Sequence, residues 1–392
     1  MFDSHSRTTA ALVAAVAFAG LPGAAAGQNA ATAEAGAVRI AILGDSGSGT
    51  ADQKAVARQM RRVEDDLRHV FLLGDNVYFT GQARRFEKAF HRPYRRFLER
   101  QTPNGERQIT FHSALGNHDV ARTCELTPDE DGVFARDRDA YGWRDEGCDV
   151  EEQLADPAFG YRDQNRYYRV DIPGPDGAVL AEVFVLDSNT LPSEHHPDRE
   201  DTKQLDWWKA SILASRARAD EAGHEPWRIV TLHHPVRTPK ARGYLFGFGG
   251  HQEDPSLLDA LDALERALKG EEIRIDRALE SRFAPVFASS ALNAVFAGHN
   301  HFYARLRPDD DGIRHFVAGG GGIAVYEPDL ESGPSEAGGG FHHFVTAVLT
   351  RDRFEYCTID SLGRVRDHGY WERGMDRDQP LAGDRYRAVC RP

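Results

Sequence analysis

The chain has 392 residues, 41% apolar and 28% charged, a composition suited to a globular protein with a large core. Its net charge of −13 argues against nucleic acid or an anionic membrane surface as partner, because both need a basic footprint.

At the N-terminus, His5 and Arg7 precede an Ala-rich apolar run from Thr9 to Leu21, followed by Ala24-Ala25-Ala26. This order reads as an export signal over residues 1–26, cleaved at the small residues, for a periplasmic or secreted protein. The run is too short for a membrane span. Residues 27–36 read as a disordered leader.

The next segment alternates strands and helices. Val38–Leu43, His69–Leu73 and Gln108–Leu115 read as buried strands, and Gln53–Leu67 and Phe86–Leu98 as helices. That rhythm predicts parallel strands, with ligands gathered at their carboxyl ends. Residues 120–160 are acidic and Arg-rich and read as an irregular insertion. Tyr167–Ile172 and Val179–Leu186 form an expected antiparallel pair joined by Pro173-Gly174-Pro175-Asp176-Gly177. Asp201–Arg218 reads as a helix, and Trp227–Leu232 as a strand.

Residues 236–280 read as a second insertion, with a Gly- and aromatic-rich stretch at 243–250. A helix follows, N-capped by Asp254 with Pro255 at its first position and ended by Gly270. Asn293–Phe296, Ile313–Val317, Phe341–Thr350 and Arg353–Ile359 supply a second set of strands. Gly338-Gly339-Gly340 reads as a flexible connection, and 366–392 as a tail packed on the domain. Two sheet halves feeding one edge predict an α/β fold: a four-layer α/β/β/α sandwich of two mixed sheets in one catalytic domain, 37–365.

The four cysteines suit an oxidising compartment and two disulfides. Cys124–Cys148 and Cys357–Cys390 are the favoured pairs, since each ties down a segment without obvious core. No cysteine has metal-type spacing.

Five short motifs carry the chemistry. They are Gly44-Asp45-Ser46-Gly47, Gly74-Asp75-Asn76-Val77-Tyr78, Gly116-Asn117-His118-Asp119, Leu232-His233-His234-Pro235 and Gly298-His299-Asn300-His301. Taken singly, each also reads as a plain turn. Together they supply Asp45, Asp75, Tyr78, Asn117, His233, His299 and His301 as metal ligands at strand ends. A hard trivalent ion favours carboxylate and phenolate, and a divalent ion accepts imidazole and amide oxygen. Asp75 has two oxygens and can bridge two ions. His118 is then free to face the substrate.

These motifs resemble the purple acid phosphatases, small tartrate-resistant type, of the calcineurin-like metallophosphoesterase superfamily. The string Leu73-Gly74-Asp75-Asn76-Val77-Tyr78-Phe79-Thr80-Gly81 carries most of the likeness. The wider superfamily usually has Asp-x-His in the first motif. Here Gly47 stands in the histidine position and Tyr78 supplies the missing ligand. The resemblance implies Asp45, Asp75, Tyr78 and His301 around Fe(III), and Asp75, Asn117, His233 and His299 around Fe(II), Zn(II) or Mn(II). It implies attack by a metal-bound hydroxide on a phosphomonoester, with Asp75 bridging and His118 as general acid. A second substrate-facing histidine, usual in that family, has no counterpart in Pro239-Lys240-Ala241-Arg242-Gly243. Arg242 and His234 are the substrate-binding candidates, with Lys240, His195, His196 and His251 as further ones. A phosphodiesterase or nucleotidase of the same superfamily is the alternative, and a non-hydrolytic phosphoester-binding protein the third reading.

Overall fold

The apolar runs become strands in the computed structural model, which describes residues 36–101, 104–106, 108–120, 125–128, 134–137, 150–190, 202–241, 283 and 285–390. Strands β1 (Val38–Leu43), β2 (Leu67–Leu72) and β3 (Thr110–Ser113) lie side by side in parallel. Helix Ala51–Met60 connects the first two, its N-cap Thr50 accepting from the Gln53 N–H. A π-turn over Glu87–His91 runs into helix Arg92–Leu98 before β3.

A second sheet follows. Its strands are β4 (Tyr168–Pro173), β5 (Val179–Val185), β6 (Trp227–Leu232), β7 (Ala294–Ala297), β8 (Tyr303–Leu306), β9 (Arg314–Ala318) and β10 (Ser335–Gly339). Their order is β10-β8-β9-β7-β6-β5-β4, with β5, β6, β7 and β9 parallel in the middle. The chain then returns to the first sheet with β11 (His343–Leu349), β12 (Arg353–Asp360) and β13 (Val365–Glu372), giving the order β13-β12-β11-β1-β2-β3.

Period-2 alternation sends successive side chains of the middle strands to opposite faces. Trp227 and Phe296 face the first sheet, where their rings lie 5.8 and 6.4 Å from that of Phe354 on β12. Val230, Leu232 and Val295 face the other way and share a buried cluster with Trp208 and Ile212 of helix Thr202–Ala222. Val56, Met60, Phe90 and Phe97 cover the outer face of the first sheet. Each buried Val, Leu, Ile or Phe contributes about 1.5–3 kcal/mol, so both faces of both sheets hold the layers together. The result is the α/β/β/α sandwich of two mixed sheets.

Several elements differ from the sequence expectation. The helix expected over Gln53–Leu67 ends at Met60, a 3₁₀ turn covers Arg61–Val63, and Leu67 opens β2. Val56, Met60, Val63 and Leu67 keep helical spacing and all are buried, so the apolar pattern runs on through the turn. Gly338 and Gly339 belong to edge strand β10 rather than a connection, paired with Ala304 and Tyr303 of β8. Glycine carries no strand signal, and the partner strand decides its conformation. The segment after 365 continues the first sheet as β13 and ends in helix Gly383–Cys390. Cys357 and Cys390 form a disulfide joining β12 to that helix, Cα to Cα 5.4 Å. Cys124 and Cys148, the export segment, the Asp254–Gly270 helix and nearly all of the 236–280 insertion lie outside the described residues. No helix among the described residues is long and apolar enough to cross a membrane.

Candidate metal centre

The turns after β1, β2 and β7 hold three acidic or imidazole residues in left-handed backbone: Asp45 at φ 58°, Asp75 at φ 54° and His299 at φ 67°. Non-glycine residues seldom adopt this region, and such strain gathers where function fixes the chain. The first two turns are zipped together. Asp45 N donates to Gly74 O at 3.0 Å, Gly47 N to Asp75 O at 3.0 Å, and Tyr78 N to Gly47 O at 2.9 Å. A Cβ on Gly47 would lie 2.1 Å from the carbonyl carbon and oxygen of Asn76. No histidine fits at that position. The Tyr78 hydroxyl lies 3.1 Å from Asp45 Oδ1 and 3.2 Å from His301 Nε2.

The other end of the site is built around Asn117, which opens the short helix Asn117–Val120 after β3. Its Oδ1 lies 2.8 Å from His233 Nε2 and 3.2 Å from His299 Nδ1, and those two nitrogens are 3.2 Å apart. Asp75 Oδ1 lies 3.5 Å from His233 Nε2. The chemistry of these contacts points to a cation. His233 Nδ1 is 2.9 Å from Leu73 O, which only accepts, so Nδ1 carries the ring proton and Nε2 presents a lone pair. At 2.8 Å that lone pair meets a second ring proton, a positive ion, or the Asn117 amide turned to present its NH2. His301 follows the same logic: Nδ1 donates to Ala324 O at 3.0 Å, which leaves Nε2 for the Tyr78 and Asp45 oxygens. Two overlapping groups of ligand-type atoms result, Asp45–Asp75–His233 and His233–His234–His299, each within 4.8 Å. Oxygen and neutral imidazole donors in this number fit two transition-metal ions.

The electrostatics agree with that fit. Burial raises the Asp75 pKa, but the neighbouring His233 and His118 imidazoles and hydrogen bonds from the His118 N–H and the Tyr78 hydroxyl outweigh it and hold the carboxyl below its ordinary value. Burial, then Asp75 and Asp45, push the Tyr78 phenol well above its usual value, so ionisation there demands a strong cation. Burial, then the neighbouring imidazoles, keep His299 well below the ordinary histidine value and free of a second proton.

His118 lies at the rim, about one-third exposed, with Nε2 4.0 Å from Asp75 Oδ2. Its Nδ1 donates to Phe79 O at 2.7 Å, and its ring sits 4.5 Å from that of Tyr78. His234 is 2% exposed, its ring 4.8 Å from His233 and 4.5 Å from His299. It sits among the candidate ligands rather than at an open surface. Arg242, His195, His196 and His251 lie outside the described residues, and Lys240 is exposed in a two-residue bridge to Asp329. Gly319 lies under Asp45, where a Cβ would come 2.8 Å from Oδ2.

Asp119 is a functional residue that the sequence reading passed over. Fully buried, it accepts from Asn76 N and Val77 N at 2.9 Å and from Gly116 N at 2.8 Å. It ties the Asp75 turn to the Asn117 turn. Burial, then the Asp75 charge, push its pKa up to about 7. The signal for it was present, since it closes the Gly116-Asn117-His118-Asp119 motif, but two of its backbone partners, Asn76 and Val77, belong to another turn of the chain. Ser188, which meets His234, had no sequence signal.

The profile of the calcineurin-like phosphoesterases matches residues 38–303. No curated protein sequence matches the chain. Among solved structures, a purple acid phosphatase from yellow lupin seeds aligns with TM-score 0.56 at 17% identity, over 86% of this chain and 54% of the lupin chain. GAP50, the anchor in the inner membrane complex of Plasmodium, aligns with TM-score 0.53 at 13% identity, over 86% of this chain and 89% of its own. PhoD aligns with TM-score 0.52 at 13% identity, over 88% of this chain and 72% of its own. At these identities the likeness is one of fold.

Proposed function

The chain belongs to the calcineurin-like phosphoesterase family, whose members use a dinuclear metal centre, and from that premise we propose that it is an exported acid phosphatase acting on phosphomonoesters. The observation that carries this reading is the pairing of Gly47 with Tyr78. Gly47 leaves no room for a side chain, and a phenol oxygen lies instead between Asp45 and His301. That exchange favours Fe(III) at the Asp45–Asp75–Tyr78–His301 end, because phenolate and carboxylate suit a hard trivalent ion. Asn117, His233 and His299 suit Fe(II), Zn(II) or Mn(II) at the other, with Asp75 shared.

Cations held by these residues would neutralise phosphoester oxygens and would lower the pKa of a water from about 15.7 towards about 7. The chain's own residues do the rest. Asp75 keeps both ends in register. His118, its Nδ1 committed to Phe79 O, turns Nε2 towards the rim and donates a proton to the departing alkoxide. Asp119 holds both turns in place. The N-terminal sequence supports export to the periplasm or medium.

The test is the ratio of hydrolysis rates for p-nitrophenyl phosphate and bis-p-nitrophenyl phosphate by protein reconstituted with iron plus zinc or manganese. A strong monoester preference is the expected outcome. A diester preference would overturn the monoesterase assignment and favour a phosphodiesterase.

A further inference from the structure

His234 had been a candidate for substrate contact, and its surroundings suit another role. The side chain is 2% exposed, and its Nε2 is a fully buried polar atom with no hydrogen-bond partner among the described residues. An orphaned buried nitrogen is destabilising unless something meets it. Its other nitrogen, Nδ1, is taken: Ser188 Oγ lies 2.7 Å away, and the same oxygen accepts the His234 backbone N–H at 3.0 Å. Ser188 thereby fixes both the backbone and the ring. The three rings of His233, His234 and His299 form a nearly equilateral triangle, with centroids 4.8, 4.5 and 5.0 Å apart, and one nitrogen of each lies within 4.8 Å of the others.

We infer that His234 supplies a third imidazole to the divalent-metal position beside His233 and His299, with Ser188 as the residue that positions it. The inference rests on the two-ion reading of the site and not on which phosphoester is cleaved. It explains why two histidines stand in succession after β6. An extended chain would send neighbouring side chains to opposite faces, but the turn at Leu232–Pro235 brings both rings to the same corner. It also gives Ser188 a function, since a hydroxyl on Nδ1 fixes the orientation of a ligating imidazole and leaves Nε2 for the ion.

The experiment is a Mn²⁺ titration of chelator-treated full-length protein, followed by equilibrium dialysis and by the electron paramagnetic resonance signal of free Mn²⁺. Wild-type protein is expected to bind two ions per chain. His234→Ala is expected to keep one at wild-type affinity and to bind the other at least about tenfold more weakly. Ser188→Ala, which keeps the imidazole, is expected to weaken the same ion by up to about tenfold. If His234→Ala fails to fold, Ser188→Ala and His234→Gln carry the test. Unchanged Mn²⁺ affinity in folded variants overturns the inference. If such variants instead lose affinity for inorganic phosphate in the metal-loaded protein, His234 is a substrate contact. Wild-type protein that binds fewer than two ions contradicts the two-ion reading itself, which separates that failure from a failure of the His234 assignment.

Discussion

The two sheets bring different chemistry to their shared edge. The first delivers oxygen: Asp45, Asp75 and Asn117 follow β1, β2 and β3, and Tyr78 completes the second turn. The second delivers nitrogen: His233 follows β6, and His299 and His301 follow β7. The oxygen half is locked by backbone, through the Gly47–Asp75 and Gly47–Tyr78 bonds and the three backbone N–H groups gathered by Asp119. The nitrogen half is locked ring by ring, through Nδ1 protons given to Leu73 O and Ala324 O. Each candidate ion draws donors from both halves, so the centre exists only where the sheets meet. Its oxygen side is rigid collectively, and its nitrogen side one residue at a time.

The largest effect expected from that difference is at Asp75, the residue proposed to be common to both candidate ions. Asp75→Ala is expected to lose both metals and to reduce turnover at least about a thousandfold, roughly 4 kcal/mol of transition-state stabilisation. His301→Ala, on the nitrogen side, is expected to lose one ion only. Elemental analysis of the two variants separates the outcomes, and equal metal loss would break the comparison.

Next comes Asp119. Asp119→Ala touches no candidate ion, yet it strands three buried backbone donors. It is expected to lower stability by about 1–3 kcal/mol and to weaken both ions together. Urea denaturation and metal titration check this, and a variant with wild-type stability would show that the turns hold without it.

Tyr78→Phe sharpens the contrast within the oxygen half. The fold and the divalent end are expected to survive, because the Tyr78 hydroxyl meets Asp45, His301 and Asp75 and the phenyl ring that fills its place is kept. A visible phenolate-to-Fe(III) charge-transfer band is expected in the iron-loaded wild type and absent from this variant. The same spectrum from both proteins would remove Tyr78 from the iron.

The smallest effect concerns histidines that face no ion. His69 on β2 and His112 on β3 meet at 3.0 Å between Nδ1 and Nε2. Burial, then Arg162 and Arg68, lower the His69 pKa from 6.5 to about 4, and burial, then His69, lowers His112 well below its ordinary value. The unfolded chain therefore binds more protons than the folded one in this window. The stability from burying neutral rings is present above pH 6.5 and is lost as pH falls towards about 4. Melting temperature is expected to drop by several degrees across that range, and less steeply in the double variant His69→Leu/His112→Leu. Parallel curves would exonerate the pair.

Much of this molecule is legible in its sequence, for identifiable reasons. β1, β2, β6 and β7 are short buried runs closed by glycine or histidine turns, so the strand ends and Asp45, Asp75, Asn117, His233, His299 and His301 stand out together. Tyr78 is visible only through its spacing from Asp75. Features set by tertiary partners are not legible. Strand β10 is Gly-rich and takes its form from β8. The helix after β1 stops short of its own apolar pattern. Asp119 and Ser188 act on groups distant in the chain. His234 could be singled out from the sequence, but its burial between two other imidazoles could not.

The central claim is that hydrolysis depends on ions held where the two sheets meet. The most direct measurement is p-nitrophenyl phosphate turnover by the full chain as purified, after complete chelation, and after reloading with iron plus zinc. Turnover is predicted to vanish on chelation and to return on reloading. Undiminished turnover in protein from which elemental analysis finds all metal removed would contradict the account.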